Sequence, residues 1–248
     1  MKLLIVGSAP RDLCLAALCR ERGYTLPDHG PWDAVVLSLP RSDLPEAWTD
    51  RLPAGQKIVC GITGPGFDSL AMKRSWQLLR VLRDERCARE NAVLTAEGAI
   101  HAAMSQTDLA LAGQSCLVVG YGRIGKALTG MLRGLGVHVT VAARRRESRE
   151  AAGPGSVSTE ELARVLPQTA LLFNTVPFPL LTEKELRLLP AGAQLYELAS
   201  PPYGIDLDAA RLLNLSIHVE SGLPGRYCPR SAAETLLDYL EREVALHE

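Results

Sequence analysis

An α/β protein of two domains, each a parallel sheet covered by helices, is what this sequence predicts, and three observations carry the prediction. Short apolar runs alternate with helix-spaced segments along the whole chain of 248 residues, which is the pattern of repeated βα units. That pattern restarts at Ser115 after a long helical stretch, and 47% hydrophobic residues suffice for two small cores. Gly120-Tyr-Gly122-Arg-Ile-Gly125 directly follows the apolar run Cys116-Leu-Val-Val119 and opens a helical segment, the order strand, glycine turn, helix of a nucleotide-binding unit. Both domains are accordingly expected to be Rossmann-like, with the C-terminal helix packing back on the first.

The elements follow in order. Residues 2–6, 34–39 and 57–61 are continuous apolar runs ended by glycine, proline or a polar turn residue, as strands buried on both faces should be. Helices fill the gaps at 11–22, 45–51 and 67–74. A strand at 77–82 leads into 83–88, and 91–105 has helical spacing with Asn91 as its N-cap. This helix is expected to bridge the domains. Beyond Ser115 the alternation gives strands at 116–119, 137–142, 170–174, 194–198 and 215–219, separated by helices at 123–134, 159–165, 182–188 and 206–213. An amphipathic helix over 229–246 closes the chain. The first domain is thus expected at 1–90, completed by 226–248, and the dinucleotide-binding domain at 91–225 with 91–105 as its bridging helix.

Composition excludes several function classes. Lys and Arg number 27 against 28 Asp and Glu, so no global field favours nucleic acid or an anionic membrane. The N-terminal apolar stretch soon meets Arg11 and Asp12, and no run of about 18 apolar residues follows. A cytoplasmic protein is expected. Cys14, Cys19, Cys60, Cys87, Cys116 and Cys228 form no C-x-x-C pair, which points to buried free thiols rather than disulfides or zinc. The histidines are as dispersed, and no metal site is expected.

The glycine turn carries the chemistry. Gly120 makes the tight turn, Gly122 lets the backbone approach a pyrophosphate, and Gly125 lets helix and strand pack closely. With Arg123 and Ile124 it opens a helix whose N-terminus offers N–H donors and positive dipole to phosphate. The second strand of the unit should end beside the adenosine ribose, where an NAD site usually offers a carboxylate. Here stand Arg144, Arg145 and Arg146. Arginine cannot accept a bond from a 2′-hydroxyl but neutralises a 2′-phosphate, so NADP is expected over NAD, with Arg144 as the contact. A solvated arginine run is the plainer alternative.

Five motifs then carry a family resemblance. Asn91-Ala-Val-Leu-Thr-Ala-Glu-Gly-Ala-Ile100, the glycine turn, Asn174-Thr-Val-Pro177, Leu198-Ala-Ser200 and Gly222-Leu-Pro-Gly225 occur in the order found in the family of dipicolinate synthase A subunits from endospore-forming bacteria, which this chain resembles over nearly its whole length and strongly from about residue 91 onward. Departures are a short first domain and Ser200-Pro-Pro-Tyr-Gly204 in place of Ser-x-Pro-Gly-Gly. The resemblance implies NADP-dependent oxidation of dihydrodipicolinate to dipicolinate for spore formation, with the flavoprotein-like B subunit of dipicolinate synthase for a partner and a homo-oligomer left open. A broader similarity is to D-2-hydroxyacid dehydrogenases. Those enzymes need an arginine where Ala199-Ser200-Pro201 stands, and a histidine that this chain lacks before His218; ordinary hydroxyacid chemistry is therefore not expected.

Oxidation of a flat dicarboxylate asks for orientation more than for a strong base. The carboxyl ends of parallel strands are expected to supply it. Arg11 would hold a carboxylate, with Thr95, Ser200, Gly222, Pro224 and Gly225 also against the substrate, and Asn174, Thr175 and Pro177 against the cofactor. Glu97 is the candidate proton acceptor and Ser200 its catalytic companion. Each has a plainer reading: Arg11 opens a helix, Asn174 and Thr175 satisfy turn backbone, Glu97 complements a helix dipole, and Gly222 to Gly225 form a rigid turn. A nucleotide-binding protein that senses NADP(H) or docks the flavoprotein, without turnover, is the alternative function.

Overall fold

The structure, a computed structural model, describes residues 1–40 and 42–244. It divides into two compact units, Met1–Leu94 with Pro224–Glu248, and Thr95–Leu223. Of the helix expected over 229–246, residues 245 and 246 lie outside the described residues, as does the 245–248 end of the expected first domain.

In the first unit β1 (Leu3–Val6), β2 (Ala34–Leu37), β3 (Lys57–Cys60) and β4 (Gln77–Arg80) pair in that order, all parallel. Successive strand residues point to opposite faces. Leu3, Val36 and Val59 accordingly enter one core, and Leu4, Val35 and Ile58 the other. Between the strands run α1 (Pro10–Glu21), α2 (Glu46–Thr49) and α3 (Pro65–Lys73). The last helix of the chain, Pro229–Glu243, packs on α1 and inserts Leu236, Leu237 and Leu240 into the first of these cores. At roughly 1.5–3 kcal/mol for each buried leucine, those contacts explain why the chain returns to this unit.

Helix α4 (Glu85–Ser105) is one continuous helix, and the expected start at Asn91 is corrected. Asp84 is the cap: its Oδ1 accepts the Cys87 N–H at 2.8 Å, and that bond holds the carboxyl below the usual carboxylate range. A short acidic side chain one residue before a helix does what Asn91 was expected to do. Thr95 and Glu97 consequently lie in the middle of α4. A dipole acts within the first turn only, so it gives Glu97 no support.

The second unit holds β5 (Ser115–Val119), β6 (His138–Ala142), β7 (Leu171–Asn174), β8 (Gln194–Glu197) and β9 (Ser216–Val219), all parallel in the order β6-β5-β7-β8-β9. The chain leaves β5 to one side for β6 and returns to the other for β7. This reversal opens the crevice at which parallel sheets collect ligands; the first sheet, in simple sequence order, has none. Leu117, Val119, Leu172 and Leu195 build the core on one face. On the other, Phe173 stacks on Tyr196 at 4.8 Å between ring centroids, and Tyr196 on His218 at 5.1 Å. Register makes this ladder, for the three residues stand directly beside one another.

The connections are α5 (Arg123–Gly134), α6 (Arg146–Ala152), α7 (Leu162–Val165), α8 (Glu183–Leu186), α9 (Leu207–Leu212) and α10 (Leu223–Tyr227), before α11 (Pro229–Glu243). Two were unexpected. The run after Arg145 forms α6, helped by Arg146 bonding Glu150 one turn on at 2.7 Å. The segment at 222–225, for which a rigid turn was the plainer reading, enters α10 from Gly222, whose φ is +63°. The helix expected at 159–165 is a single α turn flanked by 3-10 turns, with Pro167 inside the second. Four of the six thiols are buried, and burial pushes that of Cys19 up to about 11.

Candidate functional site

The glycine turn leaves β5 at the reversal point. Gly120 has φ +98°, and a Cβ there would overlap the Thr175 hydroxyl and lie 2.7 Å from Val176 Cγ2. A Cβ on Gly125 would overlap the Gly120 carbonyl oxygen. Gly122 differs from both. It caps α5 with φ −80°, and a Cβ there would meet no atom within 4 Å. No contact among the described residues requires glycine at 122.

The space beside Gly122 belongs to a cavity of about 410 Å³ lined by Gly120, Tyr121, Gly122, Ala142, Ala143, Arg144, Arg145, Ser148, Thr159, Val176, Phe178 and Leu180. Here α5 begins, with the Gly122 carbonyl accepting its first intrahelical bond from the Lys126 N–H at 2.9 Å. A helix N-terminus carries partial positive charge. Arg144 and Arg145 are exposed at the rim, and neither guanidinium is bonded to another of the described residues. Arg149 holds the corner beneath them by donating to the carbonyls of Ala143 at 3.0 Å and Arg144 at 2.7 Å. Open backbone, helix dipole and two cations together fit the pyrophosphate and phosphate groups of a dinucleotide. Arg146 does not contribute, since it is committed to Glu150. A larger cavity of about 660 Å³ opens at Ser115 and His138, but those residues begin their strands, the end where parallel sheets do not gather ligands.

Among the residues expected on the cofactor, only Gly120, Gly122 and Arg144 line this cavity. Arg123, Ile124 and Gly125 form the first turn of α5 beside it. Asn174 is fully buried, with its amide nitrogen donating to the Val176 carbonyl at 3.0 Å and to Glu197 Oε1 at 2.7 Å, while its oxygen accepts the Val176 N–H at 3.1 Å. Direct contact with a cofactor is therefore corrected to support of the turn. Thr175 donates to the Val119 carbonyl at 2.9 Å, buttressing Gly120. Pro177 is exposed, and its neighbours Val176 and Phe178 face the cavity instead. Tyr121, Ser148, Thr159, Val176, Phe178 and Leu180 were not foreseen. Arg145 was legible as part of the basic run; Thr159 comes from a separate turn that no local pattern links to the glycines.

Glu197 was not foreseen either. It ends β8 with no exposure, and its carboxylate accepts bonds from Asn174 and from the N–H groups of Ala199, Gly204 and Ile205. Burial raises its pKa above the ordinary value, and those bonds oppose the rise. Ser200 is exposed in the loop just beyond.

The residues expected on a substrate fall in both units. In the first unit Arg11 sits in the first turn of α1, 5% exposed, where it donates to the Leu39 carbonyl while its buried Nε has no partner among the described residues. Burial lowers its pKa and neighbouring Asp12 opposes that. Gly225 of α10 lies against it, for a Cβ there would be 3.7 Å from Arg11 Cζ. Pro224 belongs to the same helix. In the second unit Thr95 is 7% exposed, Glu97 is exposed, and Gly222 precedes α10. Among the described residues no group of three or more His, Cys, Asp or Glu could hold a metal, and no helix is long and apolar enough to cross a membrane.

Comparison with known proteins follows the same lines. Residues 76–199, half of the chain, match the family model for the NAD binding domain of D-isomer specific 2-hydroxyacid dehydrogenase. The A subunit of dipicolinate synthase from Bacillus subtilis (strain 168) is 28% identical over 199 residues, which cover 79% of this chain and 67% of that protein. The crystal structure of the dipicolinate synthase A subunit from Bacillus halodurans is similar with a TM-score of 0.87 and 24% identity over 98% of this chain and 97% of that one. For the crystal structure of the Bacillus subtilis protein the TM-score is 0.83 and the identity 24%, over 100% and 98% of the two chains.

Proposed function

Because this chain belongs to the family of D-isomer specific 2-hydroxyacid dehydrogenase NAD-binding domains, we propose that it is an NADP-dependent oxidoreductase converting dihydrodipicolinate to dipicolinate in the cytoplasm. The family gives an oxidoreductase with a nicotinamide dinucleotide cofactor. Preference for NADP rests on one observation, that Arg144 and Arg145, bonded to no other side chain among the described residues, stand at the rim of a cavity with no carboxylate among its described lining residues. A 2′-phosphate would bring the charge those guanidiniums lack, whereas a 2′-hydroxyl would find no acceptor. The substrate rests on similarity to the A subunits of dipicolinate synthase and on Ala199-Ser200-Pro201 standing where hydroxyacid chemistry would need arginine. His218 is stacked on Tyr196 and does not line the cavity.

Bound, the dinucleotide supplies a hydride acceptor. The chain supplies the rest. Gly122 and the start of α5 would hold the pyrophosphate, and Arg144 and Arg145 the 2′-phosphate. In the first unit Arg11, Pro224 and Gly225 are the proposed substrate contacts, with Arg11 for a carboxylate; in the second, Thr95, Ser200 and Gly222 are the proposed substrate contacts and Glu97 the proposed proton acceptor. The B subunit of a dipicolinate synthase is the proposed partner. The test is formation of NADPH, followed by absorbance, when freshly generated dihydrodipicolinate is added to chain and NADP, with and without that partner. Tight NADP binding without turnover under either condition would overturn the enzyme reading and leave a sensor or docking protein.

Arg144→Asp is expected to weaken NADP and relatively favour NAD. Loss of one charge-assisted contact is worth about 1.5–3 kcal/mol, a shift in relative affinity of roughly tenfold to a hundredfold. Titration of both cofactors checks it, and equal affinities in the wild type would remove the NADP preference before any variant is made.

A further inference from the structure

We propose that Glu197 is a positioning residue for dinucleotide binding: its carboxylate ties together the loops that follow β7 and β8 and so sets the wall of the cavity at Val176 and Leu180. The proposal rests on the nucleotide reading of that cavity.

The geometry of the tie is complete. Oε1 accepts from Asn174 Nδ2 at 2.7 Å and from the Ala199 N–H at 2.9 Å. Oε2 accepts from the N–H groups of Gly204 and Ile205, each at 2.9 Å. Asn174 stands beside Glu197 in register at the end of β7 and passes the constraint on, since its amide brackets both the N–H and the carbonyl of Val176. A second tie runs back from the β8 loop. The Gly204 carbonyl accepts from the N–H groups of Leu180 at 3.0 Å and Leu181 at 2.9 Å, and a Cβ on Gly204 would lie 2.6 Å from the Val176 carbonyl oxygen. Val176 in turn packs against Gly120. Thus one buried carboxylate bears on where Val176 and Leu180 of the cavity wall stand relative to the glycine turn.

The choice of side chain shows what is being selected. A buried carboxylate without a cation is costly, and no Lys, Arg or His is bonded to Glu197 among the described residues. Only an acceptor with no donor of its own satisfies four converging N–H groups. Glutamine has nearly the same shape but would turn an NH2 group toward two of those donors. Such an expensive group, at the carboxyl ends of adjacent strands beside a ligand cavity, is accounted for by a need to hold loops rigidly, as supporting residues around binding sites do.

Glu197→Gln, Glu197→Asp and Asn174→Ala, each made in the full chain, test this. NADPH affinity is measured by fluorescence titration well below the unfolding temperature of every variant. Glu197→Gln should raise Kd tenfold or more. Glu197→Asp, smaller but still acceptor-only, should recover at least threefold of that loss, which a purely volumetric role would not allow. Asn174→Ala cuts the relay to Val176 and should also weaken binding, giving a reading if Glu197→Gln does not fold. A folded Glu197→Gln with wild-type Kd and a lowered Tm would make the residue structural only and overturn the proposal, as would an Asp variant no better than Gln. Wild-type protein that binds neither NADPH nor NADH would instead remove the nucleotide reading itself.

Discussion

Gly122→Asp is expected to abolish dinucleotide binding, raising Kd by more than about 100-fold, in a chain that folds as well as the wild type. Both halves of the expectation come from the same geometry. A Cβ at 122 would meet no atom within 4 Å, and φ −80° is open to any residue. Aspartate is moreover among the best helix N-caps, and its charge complements the start of α5. Folding is therefore unharmed. For a pyrophosphate at the same helix start, the carboxylate occupies the approach and repels it. Two like charges about 4 Å apart interact by roughly 4 kcal/mol at an effective dielectric constant near 20, more than a hundredfold in affinity. Thermal unfolding and a calorimetric titration, run on one preparation, check the two halves. A folded variant with wild-type affinity would place the dinucleotide elsewhere.

Gly125→Ala should do the reverse, damaging the fold first. Its methyl group would overlap the Gly120 carbonyl oxygen. That atom belongs to backbone held on its other side by Thr175 and Val176, so no flexible side chain can move aside. Overpacking of this kind costs about 3 kcal/mol, which for a chain of this size lowers Tm by roughly 6–12 °C. Gly130→Ala provides the control within the same helix. A methyl group at 130 would meet nothing within 4 Å, and replacing a mid-helix glycine should stabilise by about 0.5–1 kcal/mol. Calorimetric unfolding of the three proteins decides the matter; equal Tm values for both variants would mean that α5 and the glycine turn are not packed as described.

How legible these features were depended on how local they are. The glycine turn could be read because its three functions repeat at fixed spacing within six residues, and the strands because parallel sheets demand unbroken apolar runs such as Ala34–Leu37 and Ser115–Val119. The basic run after Ala143 was legible as arginines, with Arg144 alone expected as the contact, and both Arg144 and Arg145 line the cavity. Arg146 is removed by Glu150, one helical turn on, in a helix that was not foreseen. Asn91 was given a capping role that Asp84 performs, because both lie before helix-compatible residues and propensity alone does not choose between them.

By itself, then, the sequence determined the two sheets, the strand that feeds the glycine turn, the steric demand for glycine at 120 and 125 and the arginines at the end of the next strand. Each of these depends on residues close enough in the chain for backbone period or steric demand to mark them. Only the tertiary structure decided which polar side chains are available to a ligand. Asn174 and Glu197 lie 23 residues apart, in adjacent parallel strands, and neither has a nearby sequence neighbour that would reveal the other. Their strands must first pair in one register before amide and carboxylate can meet. Once paired and buried, both groups must spend their hydrogen bonds on each other and on the loops, since an unpaired polar atom there would cost about 1–3 kcal/mol. The same necessity turns a residue expected on the cofactor into part of the wall behind it.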